Sequence, residues 1–227
     1  MAFFNSRNSL DERLLKKAIE SGCEVKEKCK ISGYTEYPDY IEVKSISGEI
    51  FKGQFLIAAD GIHSIIRRKS PFQKYWNSKK QASVVVSEKN FTEEEIKKCN
   101  PQGLTAHLNI GFGDLEGYGW VFPSKSSINM GFGAHTNLFK GKNIRDYFNK
   151  YIQYCQEKQF LPQTPIPSPM GWIVPTSGPL KKFASSRLLL AGDAAAFVHP
   201  MTGEGIIYAI WSGILAAEAI DNFLAGN

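Results

Sequence analysis

Three short stretches of the 227-residue chain combine residue types that could do chemistry. Leu188-Leu189-Leu190-Ala191-Gly192-Asp193-Ala194-Ala195-Ala196 reads as a buried strand whose end carries one acid among very small residues. Small side chains let a ligand lie against backbone, and open α/β sheets bind ligands just beyond the carboxyl ends of their strands. Asp193 is therefore placed either to accept hydrogen bonds from a hydroxyl-bearing group or to cap a following helix. Asp60-Gly61 ends a second apolar run, Phe55-Leu56-Ile57-Ala58-Ala59, with Ser64 and Arg67 just beyond. That carboxylate could organise a network beside a bound phosphate, or simply make a β-turn. Third, Pro200-Met201-Thr202-Gly203-Glu204-Gly205 leads into a long apolar segment. Bare backbone N–H groups at the positive end of a helix stabilise bound negative charge, although an ordinary glycine-rich helix start uses the same residues.

Other reactive residue types assemble into nothing comparable. Tyr118, Trp120 and Phe122 fall on one face of a strand by alternation, where they either line an apolar cavity or face a core. His63, His107, His135 and His199 stand at no metal-ligand spacing, and Cys23, Cys29, Cys99 and Cys155 contain no Cys-x-x-Cys pair, so no metal centre is expected. His199, just before Pro200, could relay a proton or make a hydrogen bond at the helix start. No proton donor or other catalytic residue is assigned.

Which elements would position these residues? Ser9 and Glu12 stand at capping-box spacing ahead of Leu14, Leu15, Ala18 and Ile19, which predicts a helix stopping at Gly22. Tyr40 to Ile46 alternates by two and turns at Ser47-Gly48-Glu49, predicting antiparallel strands. Strands are expected at Gln81 to Ser87, Leu104 to Phe112, Tyr118 to Phe122 and Ser127 to Ala134, with helices at Thr92 to Lys98 and Ile144 to Lys158. Prolines at 162, 165, 167, 169, 175 and 179 exclude a helix there and predict extended chain crossing back. A buried strand at Arg187 to Ala191 and a helix from Glu204 to Leu224 close the chain.

Composition adds limits. Hydrophobic residues at 43% and charged residues at 22% are those of a globular domain, which excludes collagenous and coiled-coil architectures. The net charge of +5 is spread over pairs such as Arg67-Arg68 and Lys181-Lys182, and no basic stripe with stacking aromatics appears, so nucleic acid is not an expected partner. The apolar run from Ile206 to Ile220 is broken by Ser212, Gly213 and Glu218, and no stretch reaches the ~18 residues needed to span a bilayer. The expectation is a cytoplasmic protein, with contact at an anionic membrane surface allowed by the charge.

Ala58-Ala59-Asp60-Gly61-Ile62-His63-Ser64 and Gly192-Asp193, about 130 residues apart, resemble the paired Asp-Gly and Gly-Asp motifs of flavoproteins with the p-hydroxybenzoate hydroxylase fold. Gly117-Tyr118-Gly119-Trp120-Val121-Phe122-Pro123, Trp172-Ile173-Val174-Pro175 and Pro200 to Gly205 resemble, more narrowly, the geranylgeranyl reductase family within that fold. The resemblance covers nearly the whole chain. It implies an α/β fold with α+β elements. A partial FAD-binding, Rossmann-like domain would occupy residues 1–74 and 181–227, and an antiparallel-sheet substrate domain residues 75–180. By the same resemblance, Gly192, Asp193 and Ala194 would hold the flavin's ribityl chain and Asp60 and Gly61 would sit near the diphosphate. Pro200, Gly203, Glu204 and Gly205 would face the ring, which carries negative charge when reduced. Val25 would lie by the adenine, and Arg7, from a pattern in which Leu10 replaces the usual Phe before Asp11, would approach the cofactor. Tyr118, Trp120 and Phe122 would shape an apolar cavity over the flavin.

The implied activity is FAD-dependent reduction of carbon–carbon double bonds in an isoprenoid lipid, with NADPH or ferredoxin as electron donor. An aromatic-ring monooxygenase, an electron-transferring dehydrogenase of the same fold and a remnant without flavin are the alternatives. FAD binding in this fold uses a Gly-x-Gly-x-x-Gly turn between strand and helix, and the chain contains none. Gly111-Phe112-Gly113 and Gly131-Phe132-Gly133 fall in expected antiparallel strands and lack the third glycine. The chain therefore reads as an internal piece of a larger flavoprotein, expected to hold FAD weakly or not at all by itself.

Overall fold

The computed structural model describes residues 7–72, 76 and 78–226. In chain order the elements are α1 (Arg7–Glu20), β1 (Ile31–Glu36), β2 (Ile41–Ser45), β3 (Ile50–Gly53), β4 (Leu56–Ala58), α2 (Ile65–Lys69), β5 (Gln81–Asn90) and α3 (Glu93–Cys99). There follow β6 (His107–Phe112), β7 (Leu115–Pro123), β8 (Ser127–His135), α4 (Ile144–Glu157), β9 (Met170–Pro175), β10 (Leu188–Leu190) and α5 (Ile206–Leu224). They divide between two compact units, one made of residues up to Val25 with Ser83–Trp172, the other of Lys26–Ala82 with Ile173 onward.

The first unit is built on a five-stranded sheet in the order β6-β7-β8-β5-β9, with α4 against one face. Asn143 starts α4 by accepting the Arg145 N–H at 3.0 Å. Phe148, Tyr151, Ile152 and Cys155 recur at helical spacing and bury against Val85, Val121, Ile128, Met130 and Phe132 of the sheet. Each such apolar side chain contributes about 1.5–3 kcal/mol by leaving water. Gly119 makes the closest approach possible, because a Cβ there would lie 2.5 Å from the Tyr151 ring. The Tyr151 hydroxyl meanwhile donates to Asn109 Oδ1 at 3.0 Å. At the β6–β7 turn, Asp114 accepts from Lys142 at 2.6 Å and from the Tyr147 hydroxyl at 2.5 Å, which ties the turn to α4.

Most elements lie where the residue pattern placed them, and the differences have local causes. Helix α1 is described from Arg7, so Ser9 falls inside it, and the Ser9 side chain lies outside the described residues. A capping box is formed by Thr92 with Glu95 at the start of α3. Strand β6 begins at His107, not Leu104, because Asn100 Oδ1 holds the Thr105 N–H at 3.1 Å and keeps 100–105 in a turn. The proline-rich stretch is not only a crossing segment: it supplies β9, an edge strand of the sheet. Proline carbonyls before β9 are held by side chains, Pro162 by Gln156 at 2.9 Å and Pro165 by Lys89 at 2.8 Å. Helix α5 runs unbroken through Ser212, Gly213 and Glu218 for 19 residues. By length and composition it reaches the threshold for crossing a bilayer, contrary to the expectation from the interrupted run.

The second unit combines an antiparallel sheet, β1-β2-β3, with a parallel pair, β10-β4. Leu188, Leu190 and Ala58 bury with Ile41, Ile66, Phe72 and Leu180 in one core. The start of β10 is pinned by Glu36, which accepts the Arg187 N–H and the Ser185 hydroxyl, both at 2.8 Å. Arg187 itself donates to the carbonyls of Pro38 at 2.6 Å and Gln54 at 3.1 Å.

Two measurements test this packing. Gly119→Ala drives a methyl group into the Tyr151 ring and is expected to destabilise the fold by about 1–3 kcal/mol in urea unfolding. Lys142 and Tyr147 hold the Asp114 carboxyl below its ordinary 3.8, at about 2. Its folded pKa is the depressed one, so its contribution is complete above pH of about 4 and is lost as the pH falls towards about 2. Asp114→Asn should flatten that acid limb of the stability curve and leave the neutral limb parallel to the parent.

Candidate functional site

The two acid-bearing turns meet because β4 and β10 are neighbours and parallel. Leu188 pairs with Leu56, Leu189 with Ile57 and Leu190 with Ala58, so both strands deliver their carboxyl ends to one edge. One further bond, Ala191 N–H to Ala58 O at 3.0 Å, carries the pairing past the strand ends. Ala59-Asp60-Gly61 and Gly192-Asp193 leave from adjacent points on that edge, where parallel sheets expose backbone to ligands.

The two acids are used differently. Asp60 Oδ2 accepts the Ile65 N–H at 2.8 Å, at the start of α2, and Ser64 accepts the Arg67 N–H at 2.9 Å. The carboxylate therefore shapes the turn itself, the plainer of its two sequence readings. Gly61 takes the left-handed conformation, with φ +74°, that the turn requires. Behind it Arg67 is buried, its guanidinium 4.3 Å from the Trp76 ring centre and donating to Ile62 O at 3.2 Å. Desolvation lowers its pKa, with Asp60 opposing that shift. Trp76, which the sequence reading passed over, donates to the same Ile62 carbonyl at 2.9 Å.

Asp193 lies in a 3-10 turn, Gly192–Ala195, and is half-buried, whereas Ala194 is fully enclosed. Gly192, with φ +57°, donates its N–H to the Ser212 hydroxyl of α5 at 2.9 Å, and a Cβ on Gly192 would press on Ala209 at 3.3 Å. The Ser212 hydroxyl donates in turn to Ala209 O at 3.0 Å, so one buried side chain clamps the acid-bearing turn to the helix. The helix start closes the other side. A Cβ on Gly205 would lie 3.5 Å from Asp193 Oδ1 and 3.4 Å from Val198, so any side chain at 205 would fill the space beside the carboxylate.

The loop ahead of α5 is more self-contained than its glycines suggested. His199 N–H donates to Glu204 O at 2.8 Å and Gly203 N–H to His199 O at 2.9 Å. Glu204 N–H reaches Thr202 Oγ1 at 3.3 Å, and the Glu204 carboxylate accepts the Ile207 N–H at 3.1 Å. His199 Nδ1 accepts the Thr202 N–H at 3.2 Å, so this ring organises the start of the helix. Pro200 is exposed at the head of the loop. Of the remaining expected cofactor residues, Val25 is exposed in the loop after α1, and Arg7 opens α1 with its side chain outside the described residues.

In the first unit, Tyr118, Trp120 and Phe122 share a sheet face with Leu108 and Ile110 of β6 and with Asn129, Gly131 and Gly133 of β8, as the antiparallel register requires. This face is the reverse of the one that packs on α4, which excludes membership of that core. The rings form a ladder, with centroids 5.7 Å and 6.3 Å apart. The Trp120 indole donates to Asn129 Oδ1 at 2.9 Å and lies against Gly131, where a Cβ would be 2.1 Å from the ring. Gly131 and Gly133 thus have a packing role in an antiparallel strand, as the missing third glycine indicated. Asn129, Leu108 and Ile110 went unnoticed in the sequence, yet alternation by two from Trp120 would have found the last two once the register was known.

A parallel strand pair with both acid turns on one edge, together with a separate antiparallel sheet, defines an α/β flavoprotein architecture of the p-hydroxybenzoate hydroxylase type. The chain belongs to the FAD binding domain family, matched over residues 4–227. It is similar to the digeranylgeranylglycerophospholipid reductase of Methanocaldococcus jannaschii, 30% identical over 227 residues, covering 97% of this chain and 55% of that one. It is also similar to a menaquinone reductase of Mycobacterium tuberculosis, 31% identical over 173 residues, covering 74% and 41% respectively. In fold it matches a geranylgeranyl bacteriochlorophyll reductase-like protein of Thermoplasma acidophilum with TM-score 0.74 and 21% identity, covering 97% of this chain and 55% of that one. The resemblance to geranylgeranyl reductase flavoproteins is thereby borne out. The chain spans about half the length of the curated relatives it matches.

The space between Asp193 and α5 suits one end of FAD: it is bordered by a hydrogen-bond acceptor and by the small apolar groups of Val198 and Ala209, with no Cβ at 192 or 205. The glycine turn that would hold the diphosphate has no counterpart in the chain. The Ser212 clamp is directly testable. Ser212→Ala leaves the buried Gly192 N–H without its acceptor, and a loss of about 1–3 kcal/mol is expected in urea unfolding.

Proposed function

We propose that the chain is part of an FAD-dependent oxidoreductase that saturates carbon–carbon double bonds in an isoprenoid lipid. The observation that carries this reading is the aromatic ladder Tyr118-Trp120-Phe122 on the sheet face opposite the α4 core. Large rings over glycines, Tyr118 and Phe122 half-buried and Trp120 buried between them, suit a long hydrocarbon chain, which offers contact area and few hydrogen bonds. The indole bond to Asn129 fixes the middle ring, so the surface is pre-shaped. Relatives named for digeranylgeranylglycerophospholipid and menaquinone support the substrate class.

Within this reading FAD, when bound, would supply the hydride for one alkene carbon, with a proton added to the other. Asp193 binds the cofactor's hydroxyl-bearing chain, and Gly192 and Ala194 let it approach the backbone. Pro200, Gly203, Glu204 and Gly205 border the ring, and Asp60 with Gly61 shapes the turn beside the diphosphate. Arg7 and Val25 are assigned to the outer parts of the nucleotide. NADPH or ferredoxin is the electron source, and the substrate's apolarity brings the protein to a membrane surface from the cytoplasm.

The experiment uses the complete protein that contains this chain. Asp193→Ala should release flavin while leaving the circular dichroism spectrum unchanged, and undiminished flavin occupancy would remove Asp193 from the site. Trp120→Ala should raise KM for a geranylgeranyl lipid about tenfold or more, equivalent to ~1.4 kcal/mol of binding, with flavin retained. A complete protein whose flavin is bleached by reductant but which never adds hydrogen to the isoprenoid would refute the substrate assignment.

A further inference from the structure

The sheet face opposite the α4 core is not apolar throughout. A Cβ on Gly133, which pairs with Tyr118, would lie 3.1 Å from Val84, so Val84 of β5 shares the face of the aromatic ladder, while Val85 buries in the α4 core. Alternation by two then brings Val86 and Glu88 to the ladder side. Glu88 is an acid without a cation. Among the described residues it enters no ion pair, and the adjacent Lys89 donates instead to Thr164 Oγ1 at 2.9 Å and Pro165 O at 2.8 Å. The partners of Glu88 are neutral donors on β8: Oε1 accepts the Ser127 hydroxyl at 3.2 Å, and Oε2 accepts from Asn129 Nδ2 at 3.5 Å. Ser127 is itself buried and held by Ser124, whose hydroxyl oxygen accepts the Ser127 N–H at 2.9 Å.

Asn129 connects this acid to the ladder. It stands opposite Phe122 and diagonal to Trp120, and its Oδ1 takes the indole N–H at 2.9 Å. A carboxamide has nearly the same shape either way round, so its neighbours decide which end carries the oxygen. Here they leave one choice. The indole N–H can only donate and the Glu88 carboxylate can only accept, so Oδ1 must face the ring and Nδ2 the acid. A flipped amide would set N–H against N–H at one end and oxygen against negative charge at the other. The Glu88 contact is long, so its effect is one of sign rather than of bond strength. Without the acid both orientations of Asn129 become open, and one of them leaves the indole N–H without an acceptor. Trp120 is only 8% exposed, so that N–H has little water to turn to, and the ring must shift to find a partner.

We propose that Glu88 is a positioning residue: acting through Asn129, it fixes the orientation of the Trp120 indole and thereby sets how firmly the ladder holds an apolar chain. The consequence for substrate rests on the isoprenoid reading given above; the hold on the ring does not. In this role Glu88 acts on the binding surface and not on the reacting carbons, so its loss weakens binding and spares the chemical step.

The test uses the complete protein that contains this chain. The Trp120 indole N–H is followed by proton–nitrogen correlation spectroscopy without substrate, its signal identified by its disappearance in Trp120→Phe. Glu88→Ala should shift that signal and speed its hydrogen exchange at least about fivefold, with circular dichroism and flavin content unchanged. KM for a geranylgeranyl lipid should rise about three- to tenfold, with kcat within about twofold. Glu88→Gln keeps an acceptor oxygen for Asn129 and should restore the signal and most of the KM. Asn129→Ala should have at least as large an effect as Glu88→Ala, and combining the two should add nothing, because they act along one path. An unshifted indole signal in Glu88→Ala, a fall in kcat at constant KM, no recovery in Glu88→Gln, or additive effects in the double variant overturns the proposal. An indole signal that moves as expected in a protein that never adds hydrogen to the isoprenoid refutes the substrate assignment alone.

Discussion

The short parallel contact between β4 and β10 is what the rest of the candidate site depends on. Each strand is three residues long, and the pairing joins segments about 130 residues apart in sequence. A few backbone hydrogen bonds, worth about 0.5–1.5 kcal/mol each, cannot alone offset closing so long a loop. The pairing is held from its flanks. Glu36 and Arg187 lock the start of β10 to the β1–β2 region, Leu188 and Leu190 bury in the common core, and Ser212 fastens the turn after β10 to α5. With the strands fixed in parallel, the convergence of Asp60 and Asp193 follows without further specification.

The five-stranded sheet shows a related division of labour by face. Alternation sends Val121, Met130 and Phe132 to α4 and sends Trp120 and its neighbours to the other side. Glycines work on both faces for opposite purposes. Gly119 admits the Tyr151 ring to the core, and Gly131 lets the Trp120 indole lie against the sheet on the reverse face. Rings supported in this way leave little for the protein to order, which is what the recognition of a flexible hydrocarbon that we propose calls for.

Where the residue pattern was legible, it was so for local reasons. Alternation by two located β2, β7 and β8, and helical spacing located α4, because each element repeats its signal several times within its own length. One misreading occurred where a distant partner decides, and two where near neighbours in sequence do. The prolines around Met170 to Pro175 indicated extended chain and Trp172-Ile173-Val174 suits a strand, but the segment is one because it lies along β5. Ser9 carries a capping signature yet falls inside α1, whereas Thr92 and Glu95 form a capping box at the start of α3. The glycines before α5 suggested bare donors, but Thr202, His199 and Glu204 take several of them up.

Sequence alone determined the alphabet of the site: two acids at the ends of apolar runs, small residues around Asp193, and an alternating aromatic segment, together with the absence of a dinucleotide turn. Such features are local, and local sterics and periodicity suffice to read them. Tertiary structure decided which of the acids keeps its carboxylate for its own turn and which face the aromatic residues occupy. Those outcomes depend on register and on hydrogen bonds between residues far apart in the chain. A one-residue slip would reverse every side chain on a strand, and no local pattern encodes the partner that prevents it.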